Sequence, residues 1–481
     1  KAFLNNCAGG VAYKFSNGTS SFAWVCENGG TVAALPVASF PYLMLQKRDS
    51  GGSVTGVVAA STPPGTYLGQ NFGQAPFFTD ATIIASTCPA AAPPVTGCTT
   101  GGATANLSAS TANFADVDAA KFADALNGAI PGAANLPSSA VASQVFGVVV
   151  NLKLRDAMQN AMITAGLLPG CAVGNETEAC MPNLTLAQLT TIFSSGRMTD
   201  WRNLRFSATP PAAGTFLTAA NTSTALLNNS IHMCNRTTGS GTLATQYIKL
   251  TGATCNTTPE PLVSAATQTI GTESGTAKVL HSMSGQGDVD NCLEGLNNGA
   301  DVGTFTPYAL GRIAGGAAAT NYRWAIGFSS ADRNANNAKP FRFIKIDNVS
   351  PTLRNVVAGR YRVWAELTQV GNTNSFPDAN SAALANDIIT NMRNADQIAG
   401  LKVSFTWGDS GLLGIASSTA FAPTGTNIIN GLTSAGYDPL RPVNPYSHGP
   451  STTANGSGID HCRWPTIPAG TRAMPVFYPA Y

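Results

Sequence analysis

Residues 145–154 read VFGVVVNLKL, a continuous apolar run of strand length. Such a run has no polar face to turn toward water, so it predicts a strand covered on both sides. A chain built around it needs layers above and below, and helical periodicity supplies them. "LTLAQLTTIF" (184–193) sets Leu186, Leu189, Ile192 and Phe193 on one face, with Thr185 as N-cap and Gly196 as a stop. "GDVDNCLEGL" (287–296) does the same with Val289, Cys292, Leu293 and Leu296. "NSAALANDIITNMRN" (380–394) reads as a further helix, and "FRFIKI" (341–346) as a strand. "ALPVASFPYLMLQKR" (34–48) suggests a strand interrupted by prolines, and "ANFADVDAAKFADAL" (112–126) a strand end passing into a helix. From about residue 396 strand and loop are expected to return. Strands alternating with helices predict an α/β fold with largely parallel sheets. The 481 residues predict two domains, or one domain with large insertions. Residues 61–112, rich in Pro, Thr, Ala and Gly, read as a surface insertion.

Charge narrows the function classes. Only 11% of residues are charged, and the net charge is +2. No field of that size attracts nucleic acid or an anionic membrane. The one short basic stretch, Lys47-Arg48, has Asp49 beside it. No apolar run approaches the roughly 18 residues of a membrane span. The opening residues carry no signal-peptide pattern, so export would imply earlier cleavage. His-Glu-x-x-His, the P-loop and the Gly-x-Ser-x-Gly elbow are all absent, and no cofactor is expected. "WGDSGLLG" (407–414) contains Gly-Asp-Ser-Gly, but no histidine stands in a protease-like context, so Ser410 reads as a turn residue and an enzyme is not expected.

The ten cysteines include no Cys-x-x-Cys, which argues for disulfides and an oxidising compartment. The first eight fall into neighbouring pairs. Pairing in sequence order predicts Cys7–Cys26, Cys88–Cys98, Cys171–Cys180, Cys234–Cys255 and, at long range, Cys292–Cys462.

One stretch points to a ligand. In "CNRTTGSGTLATQYI" (234–248) an arginine precedes a Gly-Ser-Gly-Thr turn that opens a helix. Glycine lets consecutive amides point outward, and the helix N-terminus favours negative charge. Ser240 and Thr242 add hydroxyls, Gly241 an unhindered amide, and Arg236 a planar fork suited to a tetrahedral oxyanion.

Four segments in order then resemble the phosphate-type periplasmic solute-binding proteins. "LTLAQLTTIFSSGRMTDWRNL" (184–204) resembles that family's LTxxQLxxIFxGxxxxW, and Arg236-Thr-Thr-Gly-Ser-Gly-Thr242 its RxxGSGT loop. "MSGQGDVDNCLEGLNNGADVGTF" (283–305) and "IDNVSPTLRNVVAGRYRVWAE" (346–366) resemble two later motifs. By the same resemblance, "KRDSGGSVTGV" (47–57) is the family's Gly-Ser loop, making Ser50 or Ser53 a hydroxyl ligand. "FADVDAA" (114–120) is similar to its Asp turn, with Asp116 first and Asp118 second as acceptor of an oxyanion proton. The chain departs from the family at Ala115, where a serine is usual, and at Thr238, where an acid is usual. The family's first strand and loop are not seen ahead of "KAFLNNC".

The resemblance implies a type II, venus-flytrap α/β architecture with inserted loops and an extended carboxyl-terminal segment. Domain one would combine 1–145 with 310–481, and domain two would be 146–309. The implied function is periplasmic or extracellular binding of phosphate or a similar oxyanion, with an ABC-type permease as partner. The low charge and long insertions also suit a second reading: an extracellular filament or surface-layer subunit that polymerises with copies of itself by strand addition.

Overall fold

The computed structural model describes residues 3–17, 21–48, 138–194, 197–206, 229–252, 278–313, 321–370, 379–415, 442–449 and 458–467, with a few short pieces between them. The amino-terminal part is an antiparallel meander of β1 (Tyr13–Asn17), β2 (Ser21–Glu27) and β3 (Tyr42–Arg48), with Cys98–Thr99 added parallel to β1. The prolines of 34–48 precede the strand rather than interrupt it. The Cys7–Cys26 disulfide closes this unit over a small core that includes Phe3, Leu35 and Leu43.

Among the described residues the main sheet has ten strands. A short strand, β4 (Asn113–Ala115), lies at one edge. The central strand is β5 (Ser138–Asn151), with every residue from Ala140 to Asn151 buried, as its apolar run requires. It passes without a loop into α1 (Leu152–Thr164). Asn151 makes that junction: its side chain accepts from the Leu154 amide at 3.2 Å, capping α1, and donates to the Arg323 carbonyl at 2.6 Å. The next helix, α2 (Leu186–Phe193), starts where expected. Thr185 and Gln188 exchange hydrogen bonds in a capping box, and Leu189, Ile192 and Phe193 are buried.

Beyond α2 come β6 (His232–Arg236), α3 (Gly241–Thr251), the short β7 (Thr269–Ile270), β8 (Val279–Met283), α4 (Gln286–Asn298) and β9 (Ala325–Ser330). These strands pair in parallel in the order β7-β8-β6-β9, the pattern of helix crossovers. Two neighbouring residues of β6 show that the helices cover opposite faces. Cys234 is bonded to Cys292 of α4, whereas Asn235 accepts from Gln246 of α3 at 3.3 Å. Successive strand side chains point to opposite sides, so α4 lies on one face and α3 on the other.

The remainder differs from the expectation of a largely parallel sheet. β5 is antiparallel to β9, to β10 (Phe341–Phe343), to β11 (Trp364–Val370) and to β12 (Leu412–Ile415). These partners are reached without the repeating strand–helix unit that enforces parallel order. The 341–346 strand is split, β10 being followed by a separate Lys345–Ile346 strand. A helix, α5 (Ala379–Met392), appears as predicted, while residues 395–399, expected as strand or loop, form one more helical turn. The short β13 (Val443–Asn444) pairs parallel with β12. One core runs through the main sheet from Val145 to Tyr446 and holds Trp201, Trp324 and Trp364, all almost fully buried.

Two predicted disulfides form, Cys7–Cys26 and Cys171–Cys180. Two are corrected: Cys234 pairs with Cys292, and Cys255 with Cys462. Sequence proximity misleads because β6 meets α4 across the sheet face, and the end of α3 meets the carboxyl-terminal segment. Cys88 lies outside the described residues. Non-reducing peptide mapping should recover linked 234/292 and 255/462 peptides. A Cys234→Ala/Cys292→Ala variant should lose about 2–5 kcal/mol in denaturant unfolding.

Candidate functional site: the loop between β6 and α3

Arg236 ends β6 at its carboxyl edge and has the same strand parity as Cys234, so it leans to the α4 side. Its Nη2 donates to the Ser284 carbonyl at 2.8 Å. The loop that follows is tightly drawn. The Thr237 amide donates to the Met283 carbonyl at 2.9 Å, and the Ser240 amide to the Thr237 carbonyl at 3.2 Å. Gly239 carries φ +96°, a conformation that a side chain resists. Ser240 caps α3 by accepting from the Leu243 amide at 3.4 Å. The first amides of a helix have no partner within it. Among the described residues, those of Gly241 and Thr242 have no hydrogen-bond partner at all.

The second glycine-serine loop meets the first. The Val54 amide donates to the Gly239 carbonyl at 3.1 Å, and the Ser53 carbonyl accepts from the Gly56 amide at 3.1 Å, opening a helical turn. Gly52 sits at φ +71°, and a Cβ there would lie 2.5 Å from the Gly239 oxygen. The structure therefore brings Ser53 together with Gly239 and Ser240. Ser50, Asp116 and Asp118 lie outside the described residues. Gly52→Ala should cost about 1–3 kcal/mol in chemical unfolding, since it adds both backbone strain and a collision with main chain.

A carboxylate missed from the sequence completes the neighbourhood. Thr238 stands where an acid is usual, yet Asp288 of α4 reaches the Arg236 side of the loop. It accepts from the Ser284 hydroxyl at 2.5 Å, the Gly285 amide at 2.8 Å and the Thr304 hydroxyl. Burial alone would push the Asp288 carboxyl up. These hydrogen bonds and the charge of Arg236 outweigh burial and hold it below its ordinary value. The available signal was the spacing of Gly285 to Asp288, three residues apart at a helix start. Asp288 thus satisfies the N-terminus of α4 from within the chain, whereas the first two amides of α3 have no hydrogen-bond partner among the described residues. The chemistry on offer is one guanidinium, a helix N-terminus and small hydroxyls, suited to a small anion.

No family model and no curated protein matches the chain. Solved structures similar to it include an ABC-type phosphate transport receptor from Vibrio cholerae (14% identity, TM-score 0.28, 56% of this chain and 70% of that one). A possible phosphate binding protein from Planctomyces limnophilus is 13% identical, with TM-score 0.27 over 55% of this chain and 64% of its own. PstS from Borrelia burgdorferi is 14% identical, with TM-score 0.24 over 53% and 65%. At these scores no ligand is carried across.

Two polar residues away from the loop have structural duties. Lys278, at the start of β8, donates to the carbonyls of Thr191, Ile192 and Ser194 and so closes the end of α2, which braces α3. Burial lowers its pKa to about 8. Ser410 of the Gly-Asp-Ser-Gly stretch, expected as a turn residue, instead ends the Gly408–Ser410 strand, and its hydroxyl donates to the Pro351 carbonyl at 2.5 Å.

Acid titration should reveal Asp288. Its folded pKa is depressed, so its stabilisation is complete above the ordinary carboxyl value and is lost as pH falls through the folded value. Asp288→Asn should cost on the order of 1 kcal/mol at neutral pH. The gap from wild type should close as unfolding is measured below about pH 4.

Proposed function

We propose that the chain is an extracytoplasmic solute-binding protein whose 236–242 loop holds a small tetrahedral oxyanion, inorganic phosphate foremost. One observation carries the reading. The Gly241 and Thr242 amides, unengaged among the described residues, open a helix directly after a strand that ends in Arg236. Ligands of open α/β sheets bind beyond the carboxyl ends of parallel strands, and this loop follows such a strand. The disulfides at 7–26, 171–180, 234–292 and 255–462 support an oxidising compartment, periplasmic or extracellular.

In this reading two lobes share β5. The lobe with residues 146–309 also takes in β9 and β10, which pair with the carboxyl half of β5. The other lobe presents Ser53, with Ser50, Asp116 and Asp118 as further ligand candidates, and closure about β5 traps the anion. An ABC-type permease would be the downstream partner. The reading as a polymerising surface subunit gains no observation from the fold.

Calorimetry with inorganic phosphate tests this directly. Wild type should bind one phosphate, and Arg236→Ala should lose roughly 2–5 kcal/mol, as expected when one partner of a charge-assisted contact is removed. Equal affinity in both proteins, or none in wild type, would refute it.

A further inference from the structure

We propose that Glu366, His448 and His461 form a binding site for a divalent transition metal of the zinc type, separate from the anion loop. The three come from distant parts of the chain: Glu366 from β11, His448 from beyond β13, and His461 from beside the Cys255–Cys462 disulfide. Their ligating atoms lie within 4.8 Å of one another, and all three side chains are buried. His448 Nδ1 is 2.6 Å and His461 Nε2 3.2 Å from the same carboxylate oxygen, Glu366 Oε2. Donors around a tetrahedral zinc stand about 3.3 Å apart, given bonds of about 2.0 Å, so the His461–Glu366 spacing already fits and the His448 ring would move outward from Glu366.

The state of His461 favours a cation. The Glu366 amide donates to its Nε2 at 3.2 Å, so this nitrogen presents a lone pair, the form a metal requires. A cation bound here would take that lone pair from the amide and lie between it and Glu366 Oε2, 3.2 Å away. The other carboxylate oxygen, Oε1, is held by the His448 amide at 2.7 Å, which fixes the direction of Oε2. Two imidazoles and one carboxylate suit zinc, cobalt or nickel rather than magnesium or calcium. Three protein donors are one short of a closed structural set, so binding should be weaker than at a four-ligand zinc site.

One group competes. Lys249 of α3 places its Nζ 2.9 Å from His448 Nε2 and 3.4 Å from the His461 carbonyl. Its ammonium balances Glu366 when no metal is bound, and it repels an incoming dication. The site therefore has a built-in rival, and removing that rival should strengthen metal binding. A purely structural role for the cluster would not produce this result. A bound metal would clamp the carboxyl-terminal segment to β11 beside the end of α3, reinforcing the Cys255–Cys462 link.

The test uses chelator-treated full chain titrated with Zn2+ in a calorimeter and with Co2+ followed by visible absorption. Wild type should bind one ion, and Co2+ should give the strong absorption of a tetrahedral nitrogen–oxygen site. Glu366→Gln should abolish binding, and Lys249→Met should tighten it at least tenfold. His281→Asn should leave it unchanged, because His281 belongs to a separate histidine pair, its Nε2 lying 3.1 Å from His232 Nδ1. No ion bound by wild type, binding that survives Glu366→Gln, or binding lost in His281→Asn would each overturn the proposal. Should Glu366→Gln fail to fold, the wild-type cobalt spectrum and the direction of the Lys249→Met change decide.

Discussion

The structure depends on burying one strand on both faces. From Ala140 to Asn151, β5 has no exposed residue, so elements must pack above, below and along both of its edges. Its carboxyl half pairs with β9 and β10, and its amino half with β11 and β12. Burying this apolar strand contributes about 25 cal/mol for every Å² of apolar surface withdrawn from water. Asn151 ends the strand without wasting a polar group. One amide side chain caps α1 and also ties down the Arg323–Ala325 approach to β9.

Features governed by local spacing were legible in the sequence. The apolar run gave away β5, Thr185 the start of α2, and the positions of Val289, Cys292, Leu293 and Leu296 the buried face of α4. The helix opened by the Gly-Ser-Gly-Thr turn was legible for the same reason, but the use of the Ser240 hydroxyl as its cap was not. What depends on chain crossings was not. Cys234 has Cys255 nearer in sequence, but a strand presents alternate residues to opposite faces, and only α4 lies on the face of Cys234. The antiparallel half of the sheet carries no periodicity that distinguishes it from a parallel one. Glu366, His448 and His461 are isolated in sequence and meet only after β11, β13 and the second crossing disulfide are in place.

The candidate anion site shows how two weak signals strengthen each other in three dimensions. Each Gly-Ser stretch alone is a common turn. Packed so that Gly52 abuts the Gly239 carbonyl, each limits the other's conformation, and the α3 amides are held in one orientation. Asp288 adds balance, because a guanidinium beside a carboxylate is already partly neutralised and is better suited to exchanging a ligand than to holding one permanently.

The bond between β6 and α4 joins oxidation state to the geometry of the candidate loop. Cys234 stands two residues before Arg236, and Cys292 one turn after Asp288, so a single covalent link spans the strand and the helix that carry the opposed charges. A newly made chain with both thiols reduced would rely on packing alone to bring those charges into register. Closing the bond and aligning Arg236 with Asp288 would then be one event in the maturation of the chain.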